Sequence, residues 1–587
     1  MHEGTWTIRP CPHRVQAELA QSLGISELTA GVLVRRGYDD PEEARAFLAG
    51  ELEPHDPFLL GDMSAACERI RAAVADGRRI CVRGETLARL ADEGCGLILT
   101  VDCGITAVAE VAEAKERGLE VIVTDHHRPG ETLPDCPLVA TRPSGYPFPE
   151  LCGTGVVYKL GQALFGVDSD VPKRHLDLVG LATIADVVPL LDENRSLAIA
   201  GLRSLARTQK PGLRALMRAA GVDPAAVDAG AVGFRLAPRI NAAGRLGHPR
   251  AALELLLTED AEDARRIADS LEELNRERQA VEGRILREAI AQVEGWPEAE
   301  RRRRAYVVAG EAWHEGVIGI VASRLVERFN RPVVLIAGGE GDWKGSGRSI
   351  ASFDLHAGLA ACSDLLERWG GHRAAAGLSI KPEHVAEFAE RFAEYAAGLL
   401  GDEDLAPQTR VDAIVPRGTR LTLELCTELA RLAPFGLGNP DVTLLAPDCE
   451  LGDLATVGEG KHLRFRVRCD GSDAGSAIAF GFGSQLDAYR REGRYDVAFR
   501  LAENRWNGTV APQLVVRRVF AAGERFGELR DWLVAEYKKP AEARVAEASA
   551  IFAELELDET GLGRRHLLES ERFRALLAGA PALAQAA

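Results

Sequence analysis

Two stretches of this chain end in side chains of the types that can bind metal or phosphate. Val121-Ile-Val-Thr-Asp-His-His127 is a β-branched apolar run closed by an acid and two histidines. Leu97-Ile-Leu-Thr-Val-Asp-Cys-Gly104 repeats the pattern and ends in Asp102. Runs of this kind read as buried strands of a parallel sheet. Open α/β sheets carry their chemistry just past the carboxyl ends of the strands. Neighbouring strands lie about 4.8 Å apart, so Asp102, Asp125, His126 and His127 would share one site. Each residue also has a plainer reading. Thr124 or Asp125 can cap the segment after the strand, and a single histidine is usually a satisfied polar group. Two such strand ends in register, one with a His-His pair, favour a metal or phosphate site.

What must hold these ends is a βαβ unit. Ala107 to Gly118 between them reads as an amphipathic helix closed by a glycine. The chain has 587 residues, too many for one core, which predicts three to five domains. It is 46% hydrophobic and 27% charged, ordinary for a soluble protein. No apolar run approaches a membrane span, and Met1-His-Glu-Gly-Thr-Trp lacks a signal-peptide pattern. The 11 cysteines include no Cys-x-x-Cys pair. The expectation is reduced thiols, a cytoplasmic protein and no membrane partner. A net charge of −17 argues weakly against nucleic acid, although binding depends on local basic patches.

The predicted architecture is multidomain α/β. Residues 1–76 read as a helical segment, with Pro41 to Leu48 as a Pro-started helix, and 77–257 as a parallel-sheet domain. A connector helix is predicted over 258–298, where Ile267, Leu271, Leu274, Val281, Ile285, Ala289 and Val293 keep a near-heptad stripe. The stripe suits either a surface helix on one domain or a rigid link between two. Arg301 to Arg304 reads as a solvated turn. A second α/β domain spans 299–402, with strands at Ala305–Ala309 and Pro332–Ile336 around a helix from His314 to Phe329. Two of its glycine-rich stretches, Lys344 to Ser349 and Trp369 to Gly377, read as loops. Both suit an anion, through backbone amides and Ser, Arg and His donors, or plain hairpin turns. From 408 to 520 the period changes to two, predicting a β-barrel. There His462, Arg464, Arg466 and Arg468 share one strand face, and Leu463, Phe465 and Val467 the other. That face is either a single-strand nucleic-acid platform or a solvated strand. Residues 521–587 read as helical and polar.

Together these motifs resemble a known family. Thr100 to Ile105, Val123 to His127 and Leu181 to Leu190 look like three of the four acidic motifs of the DHH phosphoesterase superfamily. Leu236-Ala-Pro-Arg-Ile-Asn-Ala-Ala-Gly-Arg-Leu246 resembles the signature of the RecJ family of single-strand-specific exonucleases. Gly345 to Ser349 and Gly370 to Gly377 resemble its DHHA1-type domain, and Pro434 to Pro440 and Glu503 to Gly508 the edges of its OB-type domain. The resemblance implies 5′-to-3′ digestion of single-stranded DNA with Mn²⁺ or Mg²⁺ at a two-metal site, in DNA repair and recombination. It implies Asp102, His126 and Asp186 as metal ligands, a set that suits Mn²⁺ better than an all-oxygen site would. His127 would hold the scissile phosphate and Asp125 would orient the histidines. Arg239, Asn241 and Arg245 would lie near the DNA path, with Ser346, Arg348 and His372 holding phosphate from the facing domain. Arg464, Arg466 and Trp506 would bind the strand on the barrel. A monomer is expected, with single-strand-binding protein or a helicase as partners of the C-terminal region.

The family's first motif, Asp-x-Asp-x-Asp-Gly, has no counterpart. The first strand, Arg79-Ile-Cys-Val-Arg83, runs straight into Gly84-Glu-Thr-Leu-Ala-Arg-Leu90. A crossover needs a dozen or more residues, which Arg83 to Gly96 just supplies, with Leu87, Leu90 and Ala91 as an apolar face. Glu85 is a substitute ligand or a helix-start cap. Hence two functional classes stand: an exonuclease, or a catalytically impaired single-strand-binding protein of the same architecture. A DHH phosphatase acting on small nucleotides fits less well, because those enzymes generally lack a basic barrel.

Overall fold

The computed structural model describes residues 5–9, 11–50, 54–82, 87–415, 419–469, 472–490, 493–506, 508–521, 532–533, 535–546, 548–549 and 552. They form two compact units, Glu53–Ala406 with Gly436–Asn439, and Met1–Leu52 with Pro407–Phe435 and Pro440–Ala587.

In the first unit, helix α1 (Met63–Ala75) leads into β1 (Arg79–Cys81), α2 (Leu87–Asp92), β2 (Cys95–Val101), α3 (Val108–Glu116), β3 (Glu120–Asp125) and β4 (Leu138–Ala140). The four strands pair in chain order, all parallel. Alternate residues feed two cores. Leu97, Ile122 and Val139 pack with Met63 and Cys67 of α1 and with Val156 and Leu160 of α4 (Gly153–Phe165). Ile98, Val121 and Val123 pack with Leu90 of α2 and Val111 and Ala114 of α3. In the crossover from β1 to β2, α2 is thus covered through Leu90. Arg83 to Thr86 lie outside the described residues, and with them the alternatives for Glu85.

Two further helices, α5 (Leu176–Ala185) and α6 (Asp192–Leu205), cross where Gly180 meets Gly201. A Cβ on either glycine would stand 2.6 or 2.4 Å from the other's Cα, so only two glycines permit this approach. Helix α7 (Ala237–Leu246) continues a π-helical stretch at Val232–Leu236. Then α8 (Ala261–Gly295) runs for 35 residues, about 50 Å at 1.5 Å per residue. Its Ala264, Ile267, Ala268 and Leu271 enter one core, and its Ile285, Ala289 and Val293 another. The two halves of its stripe thus enter separate cores of one compact unit.

The second core belongs to a five-stranded sheet: β5 (Tyr306–Gly310), β6 (Val333–Ala337), β7 (Trp343–Arg348), β8 (Leu366–Gly371) and β9 (Ala375–Ile380), in the order β5-β6-β7-β9-β8. Helix α9 (Glu315–Phe329) joins the parallel pair β5 and β6. Here the sequence expectation is corrected. Lys344 to Ser349 and Trp369 to Gly377 are strand β7 and the β8–β9 hairpin rather than loops. Glycine carries no β-propensity, which hid the strands, but close packing requires it. A Cβ on Gly345 would lie 2.6 Å from Leu378, and one on Gly347 2.9 Å from Leu355.

The other unit opens with a strand, Thr5–Ile8, parallel to Gln408–Val411, so the N-terminal segment is not wholly helical. Helices His13–Leu23, Glu27–Arg35 and Pro41–Ala49 follow. Its centre is a barrel of β10 (Leu444–Val457), β11 (His462–Cys469), β12 (Ser472–Ala479), β13 (Tyr495–Trp506) and β14 (Thr509–Ala521). The order β10-β11-β12-β14-β13 closes through a β13–β10 pairing. Leu463, Phe465 and Val467 point into the core while Arg464, Arg466 and Arg468 are exposed, as period two requires. Cys449 and Cys469 are directly opposite across β10 and β11 and form a disulfide, which corrects the expectation that all the thiols are free. Cross-strand register, not sequence spacing, brings them together. The helical expectation for 521–587 falls largely outside the described residues.

Candidate metal centre

Strands β2 and β3 run side by side with Val101 opposite Thr124. Asp102 and Asp125 therefore emerge at one sheet edge. Asp102 takes a left-handed backbone, φ 64°, and its amide donates to Thr124 O at 3.0 Å. A non-glycine residue there is strained, and such strain gathers at functional sites. Asp125 is 1% exposed. Its carboxylate accepts from the amides of Ile105 (2.9 Å), His126 (2.8 Å) and His127 (3.1 Å), and His127 Nδ1 lies 2.7 Å away. Burial opposes its charge, but these donors outweigh it and hold the carboxyl below its ordinary value. The contact with His127 fixes that ring and turns its Nε2 outward.

His126 takes the other direction. Its Nε2 lies 3.1 Å from Asp102 Oδ1 and 3.6 Å from Asp186 Oδ2. The nitrogen is buried, and neither contact has hydrogen-bond alignment. Burial disfavours the imidazolium, yet the Asp102 carboxylate, then the charges of Asp186 and Asp125, raise the His126 pKa overall. Burial raises the Asp186 carboxyl, and Asp102 adds to this against the pull of His126. Asp186 arrives from another part of the sequence, as the cap residue ending α5.

Donors about 2.1 Å from an octahedral divalent ion lie about 3 Å apart. The 3.1 Å separation matches that arrangement, the 3.6 Å one is about 0.6 Å longer, and an unsatisfied buried nitrogen between two carboxylates is what a cation would satisfy. Ligand atoms of Asp102, His126 and His127 also fall within 4.8 Å of one another.

Two residues absent from the sequence reading complete the surround. Gly153 opens α4 directly against Asp102, and a Cβ there would stand 2.4 Å from Asp102 Oδ1. Arg142, just past β4, donates to His126 O at 3.3 Å and to Glu150 at 3.0 Å. A basic residue past a third parallel strand end was the available signal for Arg142. For Gly153 it was a glycine pair at a helix start.

The remaining candidates divide. Arg348 Nη1 donates to Ser346 Oγ at 3.1 Å on β7. Burial lowers the Arg348 pKa, and the positive charge of Arg245 lowers it further. Arg245 is likewise lowered by burial and by Arg278. Ser346, Arg348 and Arg245 thus form one desolvated cationic group suited to an anion. Exposed His372, in the β8–β9 turn, feels burial first and then the charges of Arg128, His127 and Arg142, all of which lower its pKa. Arg239 pairs with Glu272 of α8 at 2.5 Å and donates to Arg235 O, which ties it into the scaffold. Asn241 is exposed and lines the metal cavity with Asp102 and Asp186. On the barrel, Arg466 is paired with Asp473 and Arg468 lies 3.7 Å from Asp453. Arg464 has no ion pair among the described residues. The side chain of Trp506 lies outside the described residues.

Three family models match this chain: the DHH family N-terminal domain over residues 22–183, the DHHA1 domain over 303–398 and the RecJ OB domain over 411–518. The chain is 36% identical over 573 residues to the single-stranded-DNA-specific exonuclease RecJ of Bacillus subtilis, spanning 89% of this chain and 72% of that one. It is 34% identical over 574 residues to the RecJ of Dickeya dadantii, spanning 86% and 97%. The crystal structure of RecJ in complex with Mn²⁺ from Thermus thermophilus superposes with a TM-score of 0.79 at 29% identity, covering 98% of this chain and 96% of that one.

Proposed function

Because the chain belongs to the RecJ family of the DHH superfamily, we propose that it hydrolyses single-stranded DNA from the 5′ end with a divalent cation, Mn²⁺ or Mg²⁺. The observation that carries this reading is the convergence of Asp102 and Asp186 within 3.6 Å of His126 Nε2. When bound, the cation supplies Lewis-acid charge for in-line attack of water on phosphorus. The protein's own groups do the rest. Asp125 accepts from His127 Nδ1, so that Nε2 faces the cleft, where the imidazolium form of His127 donates to an oxygen of the scissile phosphate. Ser346, Arg348 and Arg245 bind a second phosphate and fix the strand's register. The exposed Arg464 on the barrel adds sequence-independent attraction. The same reading gives a cytoplasmic, monomeric enzyme of DNA repair and recombination, with single-strand-binding protein or a helicase as partners.

One observation favours a second reading. No Asp-x-Asp-x-Asp-Gly follows Val82, so the ligands in hand suit one ion rather than two. Turnover is then well below that of an intact relative, while strand binding, carried by other residues, remains. A time course with 5′-labelled single-stranded DNA and Mn²⁺, beside Mn²⁺ calorimetry on the parent and on Asp102→Ala and His126→Ala, separates the two. Release of 5′ mononucleotides that both substitutions abolish supports the nuclease. Strand binding with negligible turnover supports the impaired form. Mn²⁺ affinity unchanged in both variants refutes the site.

A further inference from the structure

Cys449 and Cys469 face each other across β10 and β11 with their Cα atoms 4.5 Å apart. That is the spacing of an antiparallel pair that exchanges no backbone hydrogen bonds and so brings its side chains closest. Cys449 is fully buried, and Cys469 is half-buried at the last residue of β11. Their surroundings suit a bond that opens as well as one that closes. Nine other cysteines are free, with Cys103 exposed and Cys11 and Cys136 half-buried. A chain that keeps such thiols works where thiols stay reduced, and a disulfide there is usually transient or redox-sensing rather than a permanent staple. With the bond open, the Cys449 thiol has an acceptor in place, Pro447 O at 3.4 Å, and a buried cysteine otherwise packs as a small apolar side chain. Cys469 is the sulfur a reagent reaches. What the bond holds is the end of the arginine face, because Cys469 directly follows Arg468 on the strand that carries Arg464 and Arg466. On the β12 side the register slips between Val467 and Arg468. On the β10 side it slips between Gly452 and Ala455, which leaves a block of four residue pairs from Cys449–Cys469 to Gly452–Arg466. The end of β11 is thus set apart from the regular ladder on both sides, and the disulfide is the covalent tie across that block.

We propose that Cys449 and Cys469 are a reversible redox couple, a site of thiol–disulfide exchange with a small-molecule disulfide, and that closing the bond fixes Arg466 and Arg468 for single-stranded DNA. The gain in strand binding rests on the nuclease reading; the exchange itself does not. The Cys469 thiolate attacks one sulfur of the small disulfide. That S–S bond breaks, one small thiol leaves and takes up a proton, and Cys469 carries a mixed disulfide. The Cys449 thiolate then attacks Cys469 Sγ, the second small thiol leaves and is protonated, and the protein bond closes. Two electrons pass from the cysteine pair to the small disulfide, and the two protons the cysteines lose are those the leaving thiols gain. Excess small thiol runs the same steps backwards. Closure raises strand affinity because long cationic side chains on a fixed strand lose less freedom when they bind phosphate.

The full chain is equilibrated in glutathione buffers from fully reduced to fully oxidised, then alkylated, digested and weighed. In parallel, its affinity for a labelled single-stranded oligonucleotide is measured in EDTA, which prevents strand consumption. The Cys449 and Cys469 peptides are expected to pass from alkylated to bonded within the glutathione range. The oxidised parent should bind the strand roughly 2- to 10-fold more tightly than the reduced parent. Cys449→Ser and Cys469→Ser, neither of which can close the bond, should bind like the reduced parent in both buffers. A pair that stays bonded in fully reduced glutathione, or stays alkylated in fully oxidised glutathione, overturns the couple. Equal affinity of the two parent forms, or a redox-dependent affinity that persists in both serine variants, overturns the control of strand binding. A parent that binds no strand in either form overturns the nuclease reading and the gain in affinity with it, while the glutathione titration alone decides the couple.

Discussion

Replacing Gly153 with alanine tests whether the metal centre depends on a void rather than on a contact. The new Cβ would stand 2.4 Å from Asp102 Oδ1 and 2.7 Å from Asp102 Cβ and Cγ. Ordinary contact needs about 3.5 Å, so the carboxylate must retreat by about 1 Å. Its backbone has little room to follow, because Asp102 already occupies a left-handed conformation and its amide is held by Thr124. Retreat breaks the 3.1 Å approach to His126. A misplacement of this size costs up to about 100-fold in rate, and disturbing a ligand's support costs roughly 10- to 100-fold in metal affinity. Stability should not collapse, since alanine is a better helix former than glycine by about 1 kcal/mol. The expected result by calorimetry is a Mn²⁺ dissociation constant raised at least tenfold. Single-strand affinity in chelator and the melting temperature should stay near the parent's. If alanine acts through Asp102, the Asp102→Ala/Gly153→Ala double variant binds Mn²⁺ no worse than Asp102→Ala alone. Parent-like Mn²⁺ affinity in Gly153→Ala would refute the reasoning.

Mn²⁺ affinity should also depend on pH. Because His126 is raised above its ordinary value of 6.5, a proton competes for Nε2 at and somewhat above that pH. Binding should therefore weaken on acidification and strengthen as pH rises, by up to about one log unit per pH unit until Nε2 is free. A flat profile across pH 6 to 8 (roughly the window of histidine titration) would count against the ligand. On the barrel, Arg464→Ala should flatten the dependence of log affinity on log salt by about one unit. Arg466→Ala should change it less, since Asp473 already neutralises that charge. Equal slopes in parent and Arg464→Ala would mean that the strand runs elsewhere. Buried Lys159 and Glu193 are 1% and 3% exposed and ion-paired. Lys159→Met, which leaves Glu193 charged with the Tyr146 hydroxyl and the His55 amide as its donors, should lower unfolding stability by about 3 kcal/mol in urea titration. A loss under 1 kcal/mol would show that those two donors suffice for the buried carboxylate.

Local pattern was enough for much of this protein. Period-two alternation at His462 to Arg468 set the faces of a barrel strand, because a strand's side chains alternate whatever surrounds them. The apolar runs ending in Asp102 and Asp125-His126-His127 marked two parallel strands and the edge where these polar groups gather, because a strand buried on both faces can carry polar groups only at its ends. The long helical stripe was legible for the same reason of period, but not that its halves enter different cores. Other features depend on distances between segments far apart in sequence. Asp186, at the end of α5, meets His126 across about 60 residues of sequence, and Gly180 and Gly201 let α5 cross α6 closely. Gly153 matters only because α4 begins against Asp102, and Cys449 meets Cys469 only through strand register. The glycine-rich strands β7 to β9 read as loops because what holds them is a neighbour's bulk, as Leu378 and Leu355 against Gly345 and Gly347 show. Periodicity is a property of the chain's own backbone and can be read along it. Close approach belongs to pairs of segments, and only the packed fold decides which pairs meet.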